Sequence, residues 1–316
     1  MKAVYVEQPG GVENLKYGEV PKPSLGPGQA LVKIAAAGVN FIDIYFRTGL
    51  YPAPAPVVLG SEAAGTVEAV APDVTTVKPG DHVAYAMSRG SDAEYAAVPA
   101  WQLTKIPSRV DFNSAAAVIL QGMTAHYLTH STYQLKPGDS CLIHAAAGGT
   151  GLILVQMAKM LGAHVVGTVG SDEKAKLAKD AGADEVIVYT KEDFTARAKG
   201  MNVVYDSVGK STFMQSLDCL KPRGLMVTFG NASGPVPEIA PLLLSQKGSL
   251  FLTRPTLANY ATTAEEVAWR AGDVLKWVAE GKLKLHIHKI YPMSDVAQAH
   301  RDLEGRKSTG KLLLIP

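Results

Sequence analysis

Ala146, Gly148 and Gly151 fall at the first, third and sixth positions of a six-residue window. That spacing suits backbone that wraps a pyrophosphate. The first small residue permits a tight turn, the second lets backbone approach the phosphates, and the third lets a helix pack closely on a strand. A helix starting there offers free N–H groups and the positive end of its dipole to an anion. The window lies within SCLIHAAAGGTGLILVQMAKMLG, residues 140–162, which reads as a strand over 141–144, a turn and a helix. Small residues also serve any close helix–strand contact, so this turn alone does not establish a nucleotide site.

The next residues narrow the chemistry. A second strand candidate, 165–169, ends at Val169-Gly170-Ser171. NAD-preferring folds place an Asp or Glu at that tip, where it accepts hydrogen bonds from the ribose hydroxyls. Here no carboxylate stands at the strand tip. Ser171 can donate to a phosphate, and Lys174, one helical turn further on, can reach one as a point charge. Asp172 and Glu173 cut the other way, although at a helix N-terminus they also serve to compensate the dipole. The balance favours NADPH over NADH.

The elements that must position these residues repeat. A helix candidate spans 171–181, strands follow at 185–188 and 202–206, a helix at 211–220, and strands at 225–229 and 249–253. Strands and helices in alternation, with continuous apolar strands, predict a parallel sheet covered on both faces. A doubly wound dinucleotide domain over residues 122–255 is the natural reading. Residues 1–121 have a different texture, with short strand candidates at 2–6, 29–37, 64–70, 82–86 and 94–99 between Pro- and Gly-rich turns. That pattern predicts a β-rich, partly open barrel. A helix over 264–279 and strands over 287–291 and 311–315 follow. The last strand can return to the first domain, which leaves the nucleotide domain inserted in the other.

A chain of 316 residues suggests about two domains. The net charge of +2, with no Lys/Arg run, argues against nucleic acid as a partner. The apolar stretch 142–158 is broken by His144, Gly148, Gly149, Gly151 and Gln156, and reads as strand, turn and helix instead of a membrane span. Lys2 opens a strand-like segment, so no leader is expected. Cys141 and Cys219 fall in a strand and a helix candidate, as reduced core thiols of a cytoplasmic protein would.

A set of motifs in fixed order carries a resemblance. They are Gly38-Val39-Asn40-Phe41-Ile42-Asp43, Arg47-Thr48-Gly49-Leu50-Tyr51-Pro52, Gly60-Ser61-Glu62-Ala63-Ala64-Gly65 and Gln121-Gly122-Met123-Thr124-Ala125. His144-Ala145-Ala146-Ala147-Gly148-Gly149, Tyr205-Asp206-Ser207-Val208-Gly209, Phe229-Gly230-Asn231 and Thr253-Arg254-Pro255 follow. Nearly end to end, the chain resembles the zinc-independent medium-chain dehydrogenase/reductases of the quinone oxidoreductase (ζ-crystallin-like) branch. The resemblance implies a GroES-like catalytic domain over 1–121 and 256–316 and a Rossmann NADPH-binding domain over 122–255. It implies metal-free hydride transfer from NADPH to quinones, and a homodimer joined near 249–253.

Zinc-dependent relatives carry a Cys near Asn40 and a His at the place of Ser61, and a structural zinc needs four close cysteines. This chain has no Cys before Cys141. His286 and His288 alternate along a strand candidate without an evident third ligand. No metal is therefore expected. Without a Lewis acid the acceptor must be electron-poor, as quinones and α,β-unsaturated carbonyls are. By the same resemblance, Asn40, Tyr45 and Tyr51 face the nicotinamide and substrate. Asn40 would hydrogen-bond the carboxamide or the acceptor oxygen, and a tyrosine the forming oxyanion. Both tyrosines also suit plain packing and loop ordering.

Gln121 and Thr124 are implied near the nicotinamide, and Ala147, Gly148, Gly149, Thr150 and Gly151 at the pyrophosphate. Gly170, Ser171, Lys174, Tyr189 and Arg306 are implied at the 2′-phosphate and adenine end. Ser207, Phe229, Gly230, Asn231, Leu252, Thr253 and Arg254 follow the fourth, fifth and sixth strands. Two departures stand out: Thr150 where Val is common, and Gln121 where some members carry Lys. An NADPH-dependent enone or 2-alkenal reductase and a non-catalytic NADPH-binding protein remain alternatives.

Overall fold

The computed structural model describes residues Met1–Pro316. Strands β1 (Lys2–Val6), β2 (Lys16–Glu19) and β3 (Gln29–Val39) precede helix α1 (Phe41–Thr48) and strands β4 (Val57–Val58) and β5 (Glu62–Val70). Strands β6 (His82–Ala86), β7 (Tyr95–Pro99) and β8 (Thr104–Lys105) lead to helix α2 (Phe112–Tyr127). Next come β9 (Ser140–Ile143), α3 (Gly149–Met160), β10 (His164–Val169), α4 (Asp172–Asp180), β11 (Glu185–Val188) and α5 (Phe194–Arg197). Strand β12 (Met201–Asp206), α6 (Phe213–Leu217), β13 (Leu220–Thr228), α7 (Leu242–Gln246) and β14 (Phe251–Thr253) follow. Then come α8 (Ala264–Ala279), β15 (Ile287–Pro292), α9 (Val296–Glu304) and β16 (Lys311–Ile315). The chain divides into two units, Met1–Met123 with Ala261–Pro316, and Thr124–Tyr260.

In the Thr124–Tyr260 unit the β-branched runs become a six-stranded parallel sheet, ordered β11-β10-β9-β12-β13-β14. The chain builds outward from β9 through β10 and β11, then returns to β9 and builds the other way. Such a reversal leaves a crevice at the carboxyl ends of β9 and β12, where open α/β sheets bind ligands. Leu142, Val166, Val204, Phe213 and Met226 form the core beneath it.

His144 stitches this crevice together. Its Nδ1 lies 2.8 Å from Thr168 Oγ1 and its Nε2 2.8 Å from Ser216 Oγ. Ser216 already donates its hydroxyl proton to the Thr212 carbonyl at 2.8 Å. It can therefore only accept from the ring, which places the imidazole proton on Nε2 and leaves Nδ1 to accept from Thr168. Burial pushes the His144 pKa down, so the ring stays neutral. The turn that follows packs so tightly that a Cβ at Gly151 would collide with the Ala145 carbonyl and stand 2.9 Å from Ala146 Cα.

In the other unit β3 is the spine. It pairs with β5 along its length, with β7 through its first half and with β16 through Ala37–Val39. The seven-stranded sheet runs β15-β16-β3-β5-β6-β8 with β7 paired to β3 off that path, and a three-stranded sheet runs β2-β1-β4. Val32, Ile34, Val67, Val83, Tyr85, Leu312 and Leu314 lie in its core. The return of 311–315 to this unit is thus a central strand contact and no mere edge addition. Helix α1 starts after Asn40, whose N–H the Asp43 carboxylate accepts at 2.8 Å while the Asp43 N–H goes to the Asn40 backbone carbonyl at 3.1 Å.

Two of the expected elements have clearly different bounds. The helix over 211–220 shrinks to Phe213–Leu217, because Asp206 draws the N–H groups of Val208 and Gly209 and the Thr212 hydroxyl into a preceding loop. The strand expected at 225–229 instead covers Leu220–Thr228, with a register shift opposite Met201 and Val203. No helix is long and apolar enough to cross a membrane.

Gly151→Ala is expected to lower stability by about 1–3 kcal/mol, because the neighbouring atoms are backbone and must shift. A thermal melt showing no loss would contradict the close helix–strand contact.

Candidate functional site

The residues expected at a nucleotide stand, in the Thr124–Tyr260 unit, on the parallel sheet. Helix α3 starts at Gly148, which supplies no side chain to cap it. The N–H groups of Gly149, Thr150 and Gly151 precede the first intrahelical bond, from Leu152 to Gly148. Ala147 is buried behind them. The start of the turn is fixed from two sides, since His144 donates its N–H to the Tyr205 carbonyl and Ala146 donates to Thr168.

At the β10 tip, Ser171 caps α4, accepting from the Lys174 N–H at 3.3 Å. Tyr189 donates its N–H to the Val169 carbonyl, and its hydroxyl lies against Gly170. Gly170, Ser171, Lys174 and Tyr189 are thus brought together. Asp172, the nearest carboxylate, is drawn aside by an ion pair with Lys191 at 2.6 Å.

Past β12, Asp206 Oδ1 accepts from the N–H groups of Val208 at 2.7 Å and Gly209 at 3.0 Å, which ties down the loop at Ser207. Phe229 donates to the Asp206 carbonyl, Ala232 to Ser207 and Ser233 to Val208. Ser207, Phe229, Gly230 and Asn231 therefore form one zipped pair of loops. Leu252 and Thr253 stand on β14 beside β13, and Arg254 follows them. Thr124 is buried in α2.

Asn40, Tyr45, Tyr51, Gln121 and Arg306 belong to the other unit. Tyr45 and Tyr51 pack edge to face with centroids 5.1 Å apart, and Phe46 packs on Tyr51 at 5.9 Å. Arg306 stands in the turn after α9 with φ at +53°. Asn40 lies in a polar cluster that the sequence did not reveal. Its Nδ2 donates to Glu62 Oε1 at 2.7 Å and to the Gly38 carbonyl at 3.1 Å. Its Oδ1 accepts from Lys311 Nζ at 2.8 Å and Gln121 Nε2 at 3.3 Å. Lys311 and Glu62 form a buried ion pair, and Glu62 Oε2 accepts the Leu120 N–H at 2.8 Å. Gly38 makes room for it, since a Cβ there would collide with Glu62 Oε1.

Two further carboxyls share this interior. Asp43 accepts from Ser61 Oγ at 2.7 Å and the Asn40 N–H at 2.8 Å. Burial pushes its carboxyl up to about 7, against the pull of those bonds and of Lys311. Asp92 is fully buried, neither carboxyl oxygen has a hydrogen-bond partner, and burial with the nearby Asp43 charge pushes it well above the ordinary range. Asp43, Ser61, Glu62, Asp92 and Lys311 were not expected as site residues. The only signal for Asp43 was its place three residues after Asn40, and Lys311 gave none.

Residues 26–108 match the Alcohol dehydrogenase GroES-like domain family, and residues 181–314 match the Zinc-binding dehydrogenase family. The chain is 46% identical to the quinone oxidoreductase of Pseudomonas aeruginosa over 97% of each protein. The crystal structure of Escherichia coli quinone oxidoreductase complexed with NADPH superposes with a TM-score of 0.98 at 43% identity, covering 100% of both chains. The chain belongs to the quinone oxidoreductase family. A 2-haloacrylate reductase of Burkholderia sp. is 40% identical over 99% of this chain and 98% of its own.

As a quinone oxidoreductase family member, the chain has a GroES-like domain and a Rossmann-like NADP-binding domain. The residues present do not fit the zinc that one family name implies. Where ligands would stand, Asn40 offers an amide and Ser61 a hydroxyl, and Glu62 is neutralised by the Lys311 ammonium. No group of three or more His, Cys, Asp or Glu side chains is arranged to hold a metal ion.

The raised Asp43 pKa has a definite sign in stability. Folded Asp43 holds its proton more tightly than the unfolded chain, so its contribution is full below pH 3.8 and lost as pH rises to about 7. In urea unfolding, the stability of the wild type relative to Asp43→Asn should fall across that window. A difference that rises there would contradict the dominance of burial.

Proposed function

We propose that this quinone oxidoreductase family member reduces quinones with NADPH by hydride transfer, without a metal ion. The observation that carries the cofactor choice is the β10 tip, where Gly170, Ser171, Lys174 and Tyr189 gather in place of a carboxylate. The likeness to the Escherichia coli quinone oxidoreductase complexed with NADPH supports the same reading.

Bound NADPH supplies the hydride. The protein binds, orients and stabilises. The turn at Ala147 and Gly148 and the N–H groups of Gly149, Thr150 and Gly151 hold the pyrophosphate at the start of α3. Ser171 and Lys174 take the 2′-phosphate, with Tyr189 and Arg306 assigned to the same end. Ser207, Phe229, Gly230, Asn231, Leu252, Thr253 and Arg254 line the carboxyl ends of β12, β13 and β14. Thr124, Gln121 and Asn40 are assigned to the nicotinamide end.

An electron-poor quinone needs no Lewis acid, and a hydroquinone oxygen can take its proton from water. Tyr45 and Tyr51 are assigned to the acceptor ring, where a hydroxyl can donate to the forming oxyanion. All four hydrogen-bonding positions of the Asn40 amide are engaged within the protein, so its part is to orient its neighbours. The kinship with a 2-haloacrylate reductase favours a second reading, reduction of an electron-poor C=C bond by the same hydride.

We also assign a homodimer and a cytoplasmic setting. Strand β14 ends the parallel sheet with Phe251 62% exposed, an apolar edge suited to pairing with its copy. Cys141 and Cys219 are buried free thiols, and burial pushes Cys141 up to about 12.

NADPH oxidation should proceed in EDTA with benzoquinone or phenanthrenequinone. Turnover with a 2-alkenal alone would favour the second reading, and tight NADPH binding without turnover would indicate a non-catalytic role. Lys174→Ala should raise the KM for NADPH about tenfold, the worth of one charged hydrogen bond. An unchanged KM would remove Lys174 from the phosphate site. Phe251→Glu should shift sedimentation from dimer to monomer, and a monomeric wild type at micromolar concentration would overturn the dimer.

A further inference from the structure

Gln121 is 9% exposed, and its Oε1 is a buried acceptor without a donor in the fold. A carbonyl-type oxygen stripped of water and left without a partner is destabilising, so its retention calls for a ligand.

The orientation of that amide is fixed by groups of invariable polarity. An ammonium only donates and a carboxylate only accepts. Lys311 Nζ lies 2.8 Å from one end of the Asn40 amide, and Glu62 Oε1 2.7 Å from the other. The oxygen must face Lys311 and the nitrogen Glu62, because the flipped amide would set donor against donor and acceptor against acceptor. The Asn40 atom that meets Gln121, at 3.3 Å, is therefore the oxygen. Gln121 must answer with its N–H, which leaves Oε1 outside the network. The adjacent Leu120 N–H is anchored to Glu62 Oε2 at 2.8 Å, so the backbone carrying Gln121 is tied to the same ion pair.

We propose that Lys311 is a positioning residue: acting with Glu62 through Asn40, it holds Gln121 so that Oε1 accepts an N–H or O–H from the bound reactants. The proposal rests on the NADPH-dependent quinone reductase reading. A quinone carries only carbonyl acceptors, so Oε1 does not match the oxidised acceptor. The donor comes either from the cofactor, as carboxamide N–H or ribose hydroxyl, or from the hydroxyl of the hydroquinone. A lysine at position 121 would supply a donor there instead, so the glutamine reverses the polarity presented.

Gln121→Met keeps the side-chain length and deletes the orphan oxygen. Its melting temperature should stay level or rise, whereas a purely structural glutamine would give a fall. NADPH titrated by fluorescence without acceptor, and inhibition by added benzohydroquinone, separate the two sources. One of these constants should weaken about fivefold to tenfold, the first for a cofactor donor and the second for a hydroquinone donor. Lys311→Met should reproduce that loss, and the double variant should lose no more. If Lys311→Met does not fold, Lys311→Met with Glu62→Gln, which removes both charges of the pair together, carries the same comparison. Unchanged constants in Gln121→Met, or additive losses in the double variant, would overturn the proposal. A wild type that binds no NADPH would overturn the functional reading first, whereas a working wild type matched by its variants would sink the positioning role alone.

Discussion

The Lys311–Glu62 ion pair is the contact on which the GroES-like unit depends most. Removing both charges from water is expensive, and only good geometry with further hydrogen bonds offsets it. Those further bonds reach across the unit: to Asn40 at the head of α1, to the Val39 carbonyl at the end of β3, and to the Leu120 N–H in α2. The missing Cβ of Gly38 is what lets the pair sit against β3. Glu62, Asp43 and Asp92 lie buried with Lys311, the cation whose charge acts on both aspartates. Burial first, and the neighbouring acids second, raise Asp43 and Asp92 above the ordinary carboxylate range.

The Rossmann-like unit works under a different constraint, that of backbone proximity. The main-chain N–H groups at the start of α3, proposed to hold the pyrophosphate, need no charge and no side chain. What they need is a turn held in one shape. Thr168, Tyr205 and neutral His144 supply that through bonds to the turn and to the strands beside it. One unit thus organises charge in its interior, and the other organises uncharged dipoles at a sheet end.

Much of the second arrangement was legible in the sequence, and little of the first. Glycine spacing and apolar strands are local signals, and they located β9 to β12 within a residue or two. The strand expectations at 2–6 and 311–315 also coincide with β1 and β16. Helix α1 was hidden because Asn40 and Asp43 read as a family motif, although their three-residue spacing is itself a capping signal. Helix α2 was hidden by its even spread of small and apolar residues, which carries no polar face to give a period. Lys311 was read only as the first residue of an apolar strand. Its partner lies 249 residues away, and no spacing rule reaches across an inserted domain.

That separation has a consequence for how the protein is made. At roughly 5–20 residues per second, on the order of 12 to 50 seconds pass between synthesis of Glu62 and of Lys311. The whole of Thr124–Tyr260 leaves the ribosome in that interval as one continuous segment able to fold ahead of the domain that began first. Meanwhile the nascent GroES-like domain has an acid without its cation, and the Ala37–Val39 end of β3 has an open edge where β16 belongs. An unpaired strand edge invites other chains to pair with it. The older domain therefore completes its central sheet only with a strand translated after the younger one.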